Sequence, residues 1–529
     1  MLLLICKRIA LLIVIFSIVQ CASVEKFNQE ITQPIAVEKL QADINYTQNK
    51  LEKLYPSLYT YISKKQLNAK FDSIRNVIKQ PMNSKEFFFI ISPVIASVRQ
   101  GHMGMTPVAK RISKKEAKRL KKAGDGPFSQ FTYEWQHDKM YVIKNKSKKK
   151  AIKSGSEVVS INGILPQEMY EKYKKTYTSD GFNTTFLRKF FSKRFSVFMT
   201  NEIGINDSLI FVFKQNDSVF SEVISRNKPI KKAQLKANDS IKVAPKPLVD
   251  KAKIKAEKKR DRIYGYDKTT KEYCKTLRII PTDSSVAVLK IKNFSQGRYT
   301  IAYDKLFDSI KNNNIKTLII DIRDNPGGRV AEVVDLYSYL TDKDYVMLQP
   351  AIVTSKTSLW RTGFFKQIPK IAYPLAATVY PIYMGFSYLR TKKLVDGTYT
   401  YGLTGTKQRK FDDNHFTGKI YVLINGGSFS ASCILSSALK SNPNVTFVGE
   451  ETGGAFNGTV AGIMPLLELP NSKIPWRIGL MDIQTINQTE VKGRGIFPDK
   501  EIIPTIQDKI ENKDPELEWI LEDSKNKKR

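Results

Sequence analysis

The chain is poor in histidine and cysteine, with three histidines and four cysteines among 529 residues. The few residues of these types also lack the close spacing of zinc ligands, which argues against a structural zinc site. Two of the cysteines fall in the first 21 residues, so a processed chain would keep only Cys274 and Cys433. A disulfide framework is therefore not implied, and we expect neither a metal nor an organic cofactor.

Acidic residues are also scarce, with 51 against 86 lysines and arginines, giving a formal net charge of +35. Such a charge could attract anionic lipids, anionic polymers or nucleic acid. No helix-turn-helix pattern and no interleaved aromatic-basic motif accompanies it. We therefore predict no nucleic-acid partner and interpret the lysines as a solvated surface. The oligomeric state stays open.

Long uninterrupted apolar runs are missing too. Residues 1–23 read as a signal peptide because Lys7 and Arg8 precede an apolar run of eleven residues, Ile9–Val19. This predicts an exported protein of the periplasm or cell envelope, with a lipid anchor at Cys21 as an alternative to a soluble mature form.

A second uncharged stretch, Ile371–Leu389, is interrupted by two prolines and a glycine. Because it also lies inside the predicted catalytic region, we interpret it as a lid or the wall of a substrate groove. Contact with a membrane surface and a true membrane span are the alternatives.

The most informative segment is Tyr421–Cys433, an apolar β run that stops at Gly426-Gly427 and continues as a helix of small residues. A serine in the first turn of such a helix, here Ser430, presents its hydroxyl to a substrate, and the helix dipole favours negative charge there. The alternative is that Ser428, Ser430 and Ser432 only cap the helix.

Two further glycine-rich segments flank this one. Asp321–Gly328 reads Asp-Ile-Arg-Asp-Asn-Pro-Gly-Gly, and Gly449–Gly454 reads Gly-Glu-Glu-Thr-Gly-Gly. Together with Ser430-Ala-Ser432 and the closing Gly495–Asp499, they resemble the serine peptidase family of the C-terminal-processing (tail-specific) proteases and the tricorn core protease.

The resemblance implies an α/β multidomain protein with a crotonase- or ClpP-like β-β-α catalytic domain. It implies that Ser430 is the nucleophile and that the backbone amides of Ala431 and Gly328, or alternatively Gly327, form the oxyanion hole. The alternation of strands and helices from Ser285 onward permits such a layered domain.

One departure from the family bears on the mechanism. Tail-specific proteases carry a lysine base where this chain has Ala455, or Asn457 in a shifted alignment. Neither side chain accepts a proton, so the resemblance points to the tricorn-like branch, in which a histidine from an N-terminal helical domain is the base. His102, in a Gly-His pair after a helical pattern, fits that role better than His137 or His415.

The carboxylate that would orient His102 is less well defined, because the family register falls on Lys492. We predict Glu490, two residues away, with Glu450 or Glu451 as substitutes. Gly101 also stands where tricorn-like members have a serine, so the fourth member of their tetrad is missing or rebuilt.

Between the predicted base and nucleophile, Lys153–Gly163 resembles a PDZ segment, although a hairpin with an Asn-Gly turn is the alternative. A PDZ domain binds a peptide tail as an added strand. The predicted organisation is a signal peptide (1–23), an N-terminal helical domain (24–125), a PDZ-like domain (126–226), a basic linker or insertion (227–265), the peptidase domain (266–509) and a charged tail (510–529).

The resulting hypothesis is an exported serine endopeptidase that cleaves protein or peptide substrates and selects chain ends through its PDZ-like domain. The alternative is a non-catalytic peptide- or lipid-binding protein on the same fold, as retinoid-binding relatives in the family illustrate.

Overall fold

The computed structural model describes residues 24–227, 251–361 and 368–526. The predicted signal peptide and Cys21 anchor lie outside the described residues, as do residues 228–250 of the basic linker and the last three residues of the tail. In the described part, helices and strands alternate around several separate sheets.

The N-terminal region is helical, as its apolar spacing predicts. Leu40, Ile44 and Leu51 recur on one helix face and are fully buried. Two of the helices begin with capping boxes at Ser63 and Asn83, which satisfy the free N–H groups of the first turn. The helices are α1 (Val24–Glu30), α2 (Val37–Leu54), α3 (Lys64–Val77), α4 (Ser84–Ala96) and α5 (Lys114–Ala123).

A five-stranded antiparallel sheet follows, with strands in sequential order and an aromatic core against two helices. Alternate residues of β2 are buried, the pattern of a sheet with one covered face. Its elements are β2 (Phe131–Gln136), β3 (Lys139–Asn145), β4 (Glu157–Ile161), β5 (Ser208–Gln215) and β6 (Ser218–Ser225), with helices α6 (Pro166–Tyr173) and α7 (Thr185–Ile203).

The central sheet has six strands in the order β21-β16-β15-β11-β10-β9. Its strands are parallel except at the β9 edge. All five residues of β11 are buried, as expected of a parallel strand covered on both faces. The strands are β9 (Lys275–Ile280), β10 (Asp283–Ile291), β11 (Thr317–Asp321), β15 (Lys419–Ile424), β16 (Val445–Gly449) and β21 (Lys500–Glu501).

The described residues also form three smaller sheets of five, three and two strands, the last made by β7 and β8. A five-stranded antiparallel sheet has the order β13-β14-β12-β20-β17, and β1 joins β18 and β19 in a sheet that links the helical region to the peptidase region. The strands are β1 (Gly104–Met105), β7 (Tyr266–Asp267), β8 (Glu272–Tyr273), β12 (Ala351–Val353), β13 (Thr391–Lys393), β14 (Tyr399–Tyr401), β17 (Gly458–Ala461), β18 (Leu466–Glu468), β19 (Pro475–Arg477) and β20 (Met481–Gln484).

From residue 251 onward, the described residues form seven α-helices. Helix α12 follows β15 directly and contacts both α10 and β16, so it is packed beside the central sheet. The helices are α8 (Lys251–Tyr264), α9 (Tyr299–Asn312), α10 (Val330–Ser338), α11 (Tyr373–Arg390), α12 (Ala431–Lys440), α13 (Ile506–Glu511) and α14 (Pro515–Asn526).

A C-terminal clamp holds the loop after β11. The guanidinium of Arg323 donates to Asp321, the last residue of β11, and to Asp514 and Glu516 at the start of α14 at 2.8–2.9 Å. Asp321 and Glu516 are both buried. Helix α14 is therefore tied to the loop that leads into Gly327-Gly328.

A buried ion pair lies on the other side of that glycine turn. Lys275 Nζ and Glu332 Oε1 are 2.7 Å apart, and neither side chain is exposed. Tyr303 donates to the same carboxylate at 3.0 Å, and Arg329 pairs with its second oxygen at 2.7 Å. Glu332 on α10 is thus bonded by three side chains just after the turn.

Helix α11 contains most of the uncharged stretch, including Pro381. Within the described ranges, no helix is long and apolar enough to cross a membrane.

Candidate active site

Ser430 lies at the turn between β15 and α12, at the N-cap of the helix. Its backbone has φ 58° and ψ −119°, a combination rarely adopted by residues other than glycine. The side chain makes no capping hydrogen bond, so the capping alternative does not account for this residue. The turn presents a partly exposed hydroxyl at the positive end of a helix.

The two neighbouring serines have structural partners instead. Ser428 Oγ donates to the carbonyl of Ile322 at 2.8 Å, and Ser432 Oγ donates to the carbonyl of Asn325 at 2.9 Å. Both serines are fully buried. Of the three serines, Ser430 is therefore the one available to a substrate.

The glycine pair packs directly against this turn. A Cβ on Gly327 would lie 2.7 Å from Ser430 Cβ and 2.8 Å from the Ala431 nitrogen, a distance that excludes any side chain. Gly327 also has φ 92°, which favours glycine. The segments Asp321–Gly328 and Tyr421–Cys433 are thus in contact, as the predicted oxyanion hole requires.

The backbone N–H groups of Gly327 and Gly328 differ in their hydrogen bonding. The Gly327 N–H donates to Asn325 Oδ1 at 2.9 Å. Gly328 is exposed and forms a parallel bridge with Phe294. The hydrogen bonds of this bridge are made by the Gly327 carbonyl and the Arg329 N–H. The N–H of Gly328 therefore points away from Phe294. This arrangement leaves Gly328 better suited than Gly327 to donate to a substrate oxygen.

The loop after α4 carries His102 to the nucleophile turn. The His102 and Phe429 rings have centroids 5.0 Å apart, and Phe429 immediately precedes Ser430. Gly101 packs on the same ring, since a Cβ there would lie 2.5 Å from Phe429 Cζ. The structure therefore brings the predicted base and the predicted nucleophile segment together.

Strand pairing fixes this loop from the other side. Gly104 pairs with Arg477 in the β1-β19 ladder, and Arg477 Nε donates to the His102 carbonyl at 3.0 Å. His102 is buried, and its Nε2 has no hydrogen-bond partner within the described residues. Burial first, and the Arg477 cation second, lower the pKa of His102 from 6.5 to about 3. The imidazole is thus neutral near pH 7.

Asp180 is a site residue that sequence reasoning missed. Its Oδ1 accepts the N–H of Gly101 at 2.8 Å, while its Oδ2 is buried without a partner among the described residues. Burial raises the pKa of Asp180 to about 6, against the lowering effect of the Gly101 hydrogen bond. An Asp-Gly pair is typical of a turn, so the local sequence gave no signal for this carboxyl.

Glu490 is not brought to His102. It is exposed, and the described contacts include no bond between its carboxylate and the imidazole. Glu450 pairs with Arg188 at 2.5 Å, and Glu451 pairs with Arg494 at 2.7 Å, so both substitutes have cationic partners. The identity of the orienting carboxylate stays a prediction.

The other two histidines lie on loops. His415 Nδ1 is 2.8 Å from the carbonyl of Asp412, and His137 occupies the β2-β3 turn with φ 49°. Neither has a described contact with the nucleophile turn.

A polar cavity of about 420 Å³ lies beside the His102 loop, with Gln100, Thr459, Asp482 and Lys492 in its wall. Asp482 is held there by Ser57 at 2.5 Å and Gln484 at 2.9 Å. Within the described ranges, no group of three or more histidine, cysteine, aspartate or glutamate side chains could hold a metal ion.

Residues 285–502 match the model of peptidase family S41. The protein carries a peptidase family S41 domain. The matched range includes Asp321–Gly328, Ser430–Ser432 and Gly449–Gly454, so the family resemblance of these motifs is confirmed. The protein is accordingly a serine-type peptidase, a hydrolase. His102 lies outside the matched range.

Three solved structures resemble this chain over most of its length. The cpaf s499a mutant has a TM-score of 0.58 and 15% identity, covering 90% of this chain and 94% of that chain. Mature CPAF complexed with lactacystin has 0.57 and 14%, with 90% and 95% covered, and mature CPAF has 0.56 and 14%, with 90% and 94% covered. At this identity the likeness concerns the multidomain α/β fold. No curated protein matches the chain.

Proposed function

We propose that this protein is an endopeptidase that cleaves protein or peptide substrates through an acyl-enzyme on Ser430, with His102 as the general base. The observation that carries this proposal is the position of the His102 ring against Phe429, next to a serine that is free of structural hydrogen bonds. A neutral imidazole at this position can take the Ser430 proton during attack and return it to the leaving amine, and water then repeats the cycle.

The proposed oxyanion hole consists of the backbone amides of Ala431 and Gly328. The amide of Ala431 is the first of helix α12, where the helix dipole favours negative charge. Gly328 is supported over Gly327 because the Gly327 amide already donates to Asn325.

The third member of the triad is proposed from sequence alone. Glu490 would have to move from its exposed position to reach His102. If it does, its negative charge would raise the pKa of His102 when the triad assembles, because an opposite charge favours the imidazolium.

The domain assignments are proposals as well. The antiparallel sheet β2–β6 with α6 and α7 supports a PDZ-like domain at 126–226, which would select substrate ends by adding a strand to the sheet. The parallel sheet supports a crotonase-like peptidase domain at 266–509. Export, to the periplasm or cell envelope, rests on residues 1–23.

A fluorophosphonate probe tests the nucleophile and base together. We expect mass spectrometry of the labelled protein to find one adduct on Ser430, absent in Ser430→Ala and strongly reduced in His102→Ala. His415→Ala is the matched control, because His415 lies on a loop without described contacts to the site, and it should label normally.

Three results would count against the proposal. A folded wild-type protein that takes no label would favour the binding-protein alternative. An adduct on Ser428 or Ser432 would displace Ser430 as the nucleophile. Undiminished labelling of His102→Ala would show that another group is the base.

The low pKa of His102 predicts a peptidase that tolerates acid. Since the free enzyme needs neutral His102, the acid limb of the kcat/KM profile should lie below pH 5 rather than near the ordinary histidine value of 6.5. Measuring kcat/KM on a peptide from pH 4 to 8 checks this. An acid limb at pH 6.5 or above would mean that a carboxylate already pairs with His102 in the free enzyme.

Unfolding must be separated from this titration. Because the pKa of His102 is lower in the folded than in the unfolded chain, its contribution to stability is complete above about 6.5 and is lost as the pH falls toward 3. Circular dichroism across the same pH range would show whether lost activity reflects lost structure.

A further inference from the structure

Helix α11 exposes a continuous apolar stripe. Counting along the helix, the stripe residues are spaced four, three, four and three positions apart, which keeps them within an arc of about 80° at 3.6 residues per turn. Each is between 50% and 79% exposed, and they are Leu375, Val379, Ile382, Phe386 and Leu389. Soluble proteins seldom leave so many large apolar side chains together in water.

The opposite face attaches the helix to the protein. Tyr380 donates to the carbonyl of Trp360, Tyr383 donates to that of Leu359 at 3.0 Å, and Trp360 Nε1 donates to that of Met384 at 3.1 Å. The stripe is thus turned outward by hydrogen bonds on the attached face.

The sequence around the helix is mostly positive, although Asp396 is exposed on the hairpin that follows it. Residues 345–395 include seven lysines and arginines and no aspartate or glutamate. Three of the cations, Arg390, Lys392 and Lys393, are exposed at the C-terminal end of α11 and in β13. Val395, beyond them at the tip of the β13-β14 hairpin, is fully exposed.

We propose that this face binds the surface of an anionic lipid bilayer. The apolar stripe would lie in the headgroup region with the helix parallel to the membrane, while the adjacent cations contact lipid phosphates. Charge complementarity favours an anionic bilayer, because the exposed cations Arg390, Lys392 and Lys393 lie beside one end of the stripe. The same segment of a second copy, residues 345–395, offers no carboxylate to pair with them. The proposal is independent of the catalytic assignment.

Vesicle flotation of the full chain tests the proposal. We expect binding to vesicles of phosphatidylcholine with 30% phosphatidylglycerol, chosen as about one anionic lipid in three, and little binding to phosphatidylcholine alone. Ile382→Ser/Phe386→Ser should weaken binding at least about tenfold, because it removes two inserted side chains. Val219→Ser/Val223→Ser, a matched pair of exposed apolar residues on β6, should bind like the wild type.

A charge variant tests the electrostatic part. Lys392→Gln/Lys393→Gln should weaken binding roughly twentyfold at low salt, from about fivefold per cation, and less at high salt. A circular dichroism spectrum unchanged from that of the wild type shows that a variant is folded. The proposal fails if wild-type protein does not float with anionic vesicles, if binding ignores lipid charge, or if the stripe variant instead abolishes a dimer seen by light scattering.

Discussion

We expect His102→Gln to lower kcat/KM for peptide hydrolysis by at least about a thousandfold, with most of the loss in kcat. Glutamine preserves much of the volume that packs on Phe429 but cannot take the proton from Ser430. The described residues place no other histidine near the nucleophile turn, and the lysine of the tail-specific proteases is replaced by Ala455 or Asn457. Steady-state kinetics on one peptide substrate measures the effect.

His415→Gln is the control for this experiment, since it removes a histidine from a loop without described contacts to the site. It should change kcat/KM by less than about twofold, as for a substitution at a surface position. If His102→Gln lost less than tenfold in kcat, the assignment of His102 as the base would be wrong.

Glu332→Gln is expected to lower the free energy of unfolding by about 3–5 kcal/mol, because it leaves the Lys275 ammonium buried without its counter-charge. Both side chains are fully buried and 2.7 Å apart. Urea titration of the purified chain measures this loss. Because Glu332 follows the Gly327-Gly328 turn, Ser430 labelling should also fall in the folded variant.

A double variant separates lost charge balance from lost packing. Lys275→Met/Glu332→Gln removes both charges and keeps an acceptor for Tyr303, so it should recover most of the stability. Glu157→Gln breaks a partly exposed pair with Lys139 and should change stability little. If Glu332→Gln cost no more than Glu157→Gln, the buried pair would not be a stabilising element.

The peptidase core was accessible from the sequence because its signals are local. A buried parallel strand reads as a short apolar run, and the glycine pairs mark the turns that follow β11 and β15. The alternation of strands and helices predicted from Ser285 onward is seen, for example, in β11 (Thr317–Asp321) followed by α10 (Val330–Ser338).

The contacts of the His102 loop could not be predicted in the same way. His102 is held by pairing between β1 and β19, whose partners Gly104 and Arg477 are far apart in sequence. Asp180 accepts a hydrogen bond from Gly101, which lies 79 residues away in the sequence. The family resemblance predicts the role of His102 as the base. No residue pattern indicated that Asp180 would bind the loop that carries it.

The uncharged stretch shows a different limit. Composition and position suggested a lid or groove wall at Ile371–Leu389, and its prolines argued against a membrane span, but nothing predicted a helix there. Pro381 nevertheless lies inside α11. The stripe faces outward because Tyr380 and Tyr383, on another face of the helix, bond to Trp360 and Leu359. These contacts are visible only in the folded chain.

The Arg323 clamp has a consequence for the order of synthesis. Asp514 and Glu516 are translated 191 and 193 residues after the arginine that they bind. Until they emerge, the loop before Gly328 lacks this anchor, and the proposed oxyanion donor lacks the support of helix α14. The loop would therefore reach its final form only after Glu516 has been translated, 193 residues behind Arg323.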